Sequence, residues 1–191
     1  MAITSFAIAQ REPVLGGRPF GSTGAYEKIG GTARFAVDPT DPLHAEITDL
    51  DRAPRNAAGL VEFSADFYVL RPVDAARGNG ALLLDVPNRG RKVALGMFNS
   101  TPRANDPTTE EDFGNGFLLR HGYTVAWVGW QADVPRMDDL MALDAPIARG
   151  VQGAVRCEFR PNLPAATLPM ADRYHIPQPT LDLDDPEARL T

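Results

Sequence analysis

Residues 82–92 read LLLDVPNRGRK, and the break inside that run decides the fold. Three leucines, Asp85 and Val86 describe a short strand without alternation, the pattern of a strand covered on both faces. Pro87 ends it, and Asn88, Arg89, Gly90, Arg91 and Lys92 follow as a polar, cationic loop. A second run of the same kind, YTVAWVGW, spans residues 123–130. Between the two lies the one helical period, near residues 114–121, with Phe113, Phe117 and His121 at i, i+4 and i+8. Gly122 supplies its stop, and Glu110, Glu111 and Asp112 suit the N-terminal side of the helix dipole. Strand, loop, helix, strand predicts a βαβ unit over residues 80–131, with its strands parallel.

Working outward, the flanking segments alternate with period two. In LVEFSADFYVL, Val61, Phe63, Ala65, Phe67 and Val69 share one face, while Glu62, Ser64 and Asp66 share the other. Arg71-Pro72 ends that strand, and TARFAVDP is a shorter one closed by Asp38-Pro39. Residues 1–75 are therefore expected to form one-sided, antiparallel strands. GAVRCEFRP places Val155, Cys157 and Phe159 inward, giving an edge strand at the start of an extended tail over residues 150–191. That tail holds a further short strand at residues 166–168, and its final ARLT reads as interrupted. The expected class is α/β, a β-rich mixed sheet with few helices and long Pro-rich loops, forming part of a single domain over residues 1–191.

Composition narrows the function. The chain has 191 residues, 43% of them apolar and 23% charged, as in a globular protein with a sizeable core. Its net charge is −6, and all the excess acid lies in the second half: residues 1–95 carry 11 basic and 11 acidic groups, residues 96–191 carry 8 and 14. Phosphate-backbone binding needs a concentrated basic face, so nucleic acid is not an expected partner. The 17 arginines against 2 lysines read as coding bias rather than recognition. Cys157 is the single cysteine, which excludes an intrachain disulfide and a multi-cysteine metal site. The start, MAITSFAIAQREPV, lacks the basic and apolar regions of a signal peptide. No apolar run approaches the roughly 18 residues that span a membrane. A cytoplasmic protein without a cofactor is expected.

In parallel α/β sheets, ligands bind beyond the carboxyl ends of the strands. Two such ends are predicted here, the loops at 87–92 and 129–136, close together on one edge. Trp130 and Gln131 are the substrate-lining candidates of the second loop, while Trp127, on the opposite face, belongs to the core. Only four serines exist, Ser5, Ser22, Ser64 and Ser100, and none sits in a Gly-x-Ser-x-Gly elbow. FGSTG, with the wrong glycine spacing, is a turn. His44, His121 and His175 have no metal-ligand spacing. His121 fits a helix C-terminus, and His175 is a loop residue that could reach a cleft. Cys157 reads as a small core residue. Asp182, Asp184 and Asp185 lack the glycine and final glutamate of a calcium loop and read as a turn.

LLLDVPNRGRKVALGMFN, ANDPTTEEDFGNGFLLRHGYTVAWVGWQADVP and LPMADRYHIPQPTLDLDDPEARLT together resemble the N-terminal part of a family of large, little-characterised α/β-hydrolase domain proteins. The resemblance runs from PFGSTGAYEKIGGTARFAVDP onward. It implies a longer protein, whose nucleophile elbow and triad lie downstream. It also implies that the loop after the third hydrolase strand donates a backbone N–H to an oxyanion. PNRGRK takes that position, with Asn88, Arg89 and Gly90 as candidates, although it departs from the His-Gly-Gly-Gly pattern of many esterases. The expected partners are the hydrolase's C-terminal half, on the same or a separate chain, a small-molecule ester, and a second copy of the chain at the sheet edge, which is expected along the strand at residues 123–130. The competing expectation is a non-catalytic, β-rich binding or interaction domain.

Overall fold

The computed structural model describes residues 2–151 apart from 103, 138 and 149, and residues 153, 158, 163, 164, 182, 184, 186 and 187 beyond them. The chain divides into two compact units, Met1–Val151 and Gln152–Thr191. The strands expected at 155–159 and 166–168, with Cys157 and His175, lie outside the described residues. In the second unit the Asp184 N–H donates to the Asp182 carboxylate at 2.9 Å, a turn bond.

The first unit is a mixed sheet of seven strands: β1 (Ala2–Pro13), β2 (Pro19–Phe20), β3 (Gly24–Val37), β4 (Val61–Pro72), β5 (Leu82–Asp85), β6 (Thr124–Val128) and β7 (Leu143–Asp144). Its main order is β1-β3-β4-β6-β5, with β2 on β3 and β7 on β4. β5 and β6 are the parallel pair, and the other pairings are antiparallel. The β-rich mixed sheet expected from the sequence is present, and so are the parallel strands at its centre of interest.

Three expectations need correction. β5 lies at the edge of the sheet, because the chain crosses over and inserts β6 between β4 and β5. Its Leu82 and Leu84 are 62% and 53% exposed, and Val86 beyond it is 57% exposed. Among the described residues the edge strand is therefore the first buried-looking run, and β6, in the segment expected to carry the open edge, is internal. The 114–121 helix is interrupted: α2 (Glu110–Phe113) and α3 (Phe117–Arg120) are separated by Gly114 and Gly116, both at positive φ. There Asn99 accepts the Asn115 N–H on its carbonyl and the Leu118 N–H on its side chain, which fixes the bend. Before them, α1 (Ala94–Phe98) follows the polar loop. The acidic start of α2 is as expected, with a capping box between Thr109 and Asp112.

The buried face of β4 also changes along its length. Val61 and Ala65 are buried in its first half, but Tyr68 and Leu70 are buried in its second, where Phe67 and Val69 are only partly covered. The first half packs with Val37 and Leu50 in a small cluster. The second half faces the main core of Tyr26, Leu70, Phe113, Leu119, Val125 and Trp127. A strand covered on opposite faces at its two ends has no single inward set.

β1 escaped the sequence reading because bulges between Ile3 and Ser5 and between Ile8 and Gln10 shift its register against β3. Each bulge inserts a residue and breaks the period-two pattern. The strand is held by Glu27, whose carboxylate accepts from Arg11 at 2.8 Å and from Arg71 at 2.6 Å.

Candidate functional site

Leu82 pairs with Thr124 and Asp85 with Trp127 along the parallel pair, so the following loops leave the sheet at the same edge. Asp85 looks misplaced in an apolar strand until its partners are considered. Its Oδ2 accepts from the Trp127 indole at 2.6 Å, the Val93 N–H at 2.9 Å and the Ala94 N–H at 2.8 Å. The aspartate that ends the strand thus holds the far end of the polar loop and the first turn of α1, and the loop closes on its own stem.

Within the closure, Arg89 and Gly90 adopt positive φ of 54° and 76°. The Arg89 N–H donates to Gln131 Oε1 at 2.7 Å. The Arg89 guanidinium donates to the Asp133 carboxylate at 2.6 Å and to the Asp133 carbonyl at 2.7 Å. The Trp130 indole donates to the Pro87 carbonyl at 3.0 Å. Gly90 is buried, and its carbonyl accepts the Met141 N–H at 3.0 Å. A Cβ on Gly90 would lie 2.6 Å from the Met141 carbonyl oxygen and 2.8 Å from its nitrogen. Asn88 is exposed, and its N–H has no acceptor among the described residues.

The structure therefore brings together all five candidates, Asn88, Arg89, Gly90, Trp130 and Gln131. It also gives them different tasks. The Gly90 N–H turns back to the Pro87 carbonyl at 3.3 Å, so its glycine serves close packing. The Arg89 guanidinium is committed to Asp133. Of the other two main-chain donors, the Asn88 N–H has no acceptor among the described residues and the Arg89 N–H holds an amide oxygen.

Beside the loop is a cavity of about 330 Å³ that the sequence reading missed, lined by Asp66, Tyr68, Lys92, Asp106, Asp139 and Met141 among others. Asp106 Oδ1 accepts from Lys28 at 2.8 Å and from the Tyr68 hydroxyl at 2.9 Å, and Glu12 is 2.7 Å from Lys28. Burial works against the Lys28 charge, but Asp106 and Glu12 outweigh it and hold Lys28 above its ordinary value. Burial, reinforced by the Asp106 charge, raises Tyr68. Lys92 Nζ donates to the Asn105 carbonyl and sits 4.3 Å from the centroid of the Tyr68 ring. Burial pushes Lys92 down to about 8, against the pull of Asp106, Asp139 and Asp66. The available signal was only that the arginine-rich chain has two lysines, which the fold brings into this one network.

The four serines occupy the kinds of position their sequence contexts suggest. Ser64 is mid-strand in β4 opposite Arg34, and Ser100 is exposed with φ of 54°. Ser22 is in the Gly21–Thr23 turn, and Ser5 is in β1. Trp127 is a core residue, 1% exposed. His121 caps α3, with its ring 4.6 Å from that of Phe117, and His44 Nδ1 bonds the Asp38 carbonyl at 2.8 Å. Among the described residues, no cluster of three or more histidine, cysteine or carboxylate groups could hold a metal ion, and no helix is long and apolar enough to cross a membrane.

Set against family models, curated proteins and solved structures, the chain matches none.

Proposed function

We propose that the chain is the N-terminal segment of a serine hydrolase acting on carboxylic esters. It contributes the first half of the sheet, the oxyanion loop and one wall of the substrate pocket, and it lacks the nucleophile elbow. The observation that carries this reading is the Arg89 N–H, held at positive φ and donating at 2.7 Å to Gln131 Oε1. That oxygen belongs to a carbonyl group. It marks the spot where a fixed donor would meet the oxygen of an ester as negative charge develops on it, the geometry that acyl transfer requires. The loop is closed by Asp85 and Met141, so the donor needs little reorganisation when substrate arrives. Gln131 would be the group that substrate displaces, and the exposed Trp130 would flank the acyl or alcohol portion.

The reaction would be attack by a serine supplied from the C-terminal half, followed by hydrolysis of the acyl-enzyme. The partner half would also cover the outer edge of β5, which no described strand pairs. The test compares the 191-residue chain with a version extended to include a Gly-x-Ser-x-Gly elbow, using an activated ester and a fluorophosphonate probe. The extended protein is expected to turn over ester and to be labelled at the elbow serine, whereas the shorter chain does neither. Labelling of the shorter chain at a single serine, or an extended protein that folds without esterase activity, would overturn the proposal. The second outcome would favour a non-catalytic binding domain.

A further inference from the structure

The cavity beside the loop contains a group that ester hydrolysis does not use. Lys92 is only 6% exposed, yet no carboxylate among the described residues lies within ion-pair distance of its Nζ. Its neighbours are the Asn105 carbonyl and the face of the Tyr68 ring. Lys28, in the same network, has the opposite arrangement, with Glu12 at 2.7 Å and Asp106 at 2.8 Å. The protein therefore buries two lysines together, fully neutralises one, and leaves the other lining about 330 Å³ of space.

A buried ammonium without a counter-ion loses its proton easily, and the neutral amine it leaves is a nucleophile. Aspartates also flank the cavity. Asp66 is occupied by Arg136 at 3.1 Å and by the Ala142 N–H at 2.9 Å, and Asp106 by Lys28 and Tyr68. Asp139 remains as the carboxylate closest in kind to a proton acceptor. It lines the same cavity and lies near enough to influence Lys92 electrostatically. An anionic ligand would meet this acidic rim unfavourably, whereas a small neutral carbonyl compound would not.

We propose that Lys92 is a reactive amine serving this cavity and that it takes a small neutral aldehyde or ketone as an imine. The Nζ lone pair forms a bond to the carbonyl carbon as the C=O π bond breaks, and one amine proton passes to the oxygen, giving a carbinolamine. The C–O bond then breaks, the hydroxyl leaves as water with the second amine proton, and the nitrogen lone pair forms the C=N bond. No oxidant or reductant takes part. The proposal rests on the cavity and the lysine environment and does not depend on the hydrolase reading.

The test uses the intact chain, whose only lysines are Lys28 and Lys92. Propionaldehyde is added at a series of concentrations with cyanoborohydride to trap imines, and peptide mass mapping locates them. The expected result is at least tenfold faster trapping at Lys92 than at Lys28, saturable in aldehyde, with a pH midpoint near 8. Lys28→Arg, which keeps the ion pairs, should leave the Lys92 rate unchanged. Equal trapping at the two lysines, slower trapping at Lys92, or a rate linear in aldehyde up to high concentration would overturn the proposal. Circular dichroism before and after labelling confirms that the trapped species is folded, so no deletion of Lys92 is needed.

Discussion

Asp85 and Trp127 lie opposite one another in the register of the parallel pair, and the carboxylate accepts the indole N–H at 2.6 Å. The same oxygen accepts the Val93 and Ala94 main-chain donors. One side chain therefore joins the edge strand, the core tryptophan and the polar loop. Asp85→Ala would leave two main-chain donors and an indole without this acceptor, and is expected to lower stability by about 2–4 kcal/mol. Asp85→Asn keeps one acceptor oxygen but no charge, and is expected to cost about half as much. Urea denaturation followed by tryptophan fluorescence checks both, and equal stability of the alanine variant would show that the loop does not depend on this anchor.

Gly90 needs both its positive φ and the absence of a Cβ, since Met141 backbone atoms would stand 2.6 and 2.8 Å away. Gly90→Ala is expected to destabilise the chain by roughly 2 kcal/mol or more, combining backbone strain with a displaced Met141 hydrogen bond. Gly90→Val should be worse. Melting temperatures that match the parent within error would mean that the 141 segment moves freely.

Gln131→Ala removes the acceptor of the Arg89 N–H while leaving the Asp133 contacts to the Arg89 side chain. The fold is expected to persist, with amide exchange at Arg89 accelerated by about tenfold or more, because an exposed N–H exchanges through water. Hydrogen exchange read by NMR gives the answer. Unchanged protection would place the donor against some other acceptor.

The titrating groups predict an unusual alkaline profile. Lys92 has a folded value near 8 against an ordinary 10.5. Its unfolded form therefore binds more protons between those values, and stability rises as pH climbs through that window, by about 3 kcal/mol. Tyr26 and Tyr68 are both raised above 10 by burial. For them the unfolded state releases protons first, so stability falls above about pH 10. A maximum near pH 9–10 is expected in thermal melts, and Lys92→Met should abolish the rise from pH 8 while leaving the later fall.

The open β5 edge predicts association. Leu82, Leu84 and Val86 are exposed beside backbone that no described strand pairs, an arrangement that favours edge-to-edge pairing. The isolated chain is expected to self-associate and to bind a hydrophobic dye, and Leu84→Lys should reduce both. Sedimentation velocity showing a monomer for the parent at high concentration would count against this.

What the sequence determined by itself was local. Apolar runs without alternation located the parallel strands, alternation located β4 and the last part of β3, which begins at Gly24 and is longer than the short strand expected, and the acidic start of α2 and Gly122 bounded the helical region. Because both strands of a parallel pair end at one edge, the sequence also placed Asn88, Arg89 and Gly90 near Trp130 and Gln131. It could not tell which run was central, since β5 and β6 read alike and only the crossover decides which one lies outside. It could not see β1, because a bulge erases the period on which such a reading relies. Nor could it assemble Lys28, Tyr68, Lys92 and Asp106, which come from β3, β4 and two separate loops. Composition records that lysine is scarce, but only the packing of four distant segments removes water from Lys92 and gives its amine an environment unlike that of Lys28.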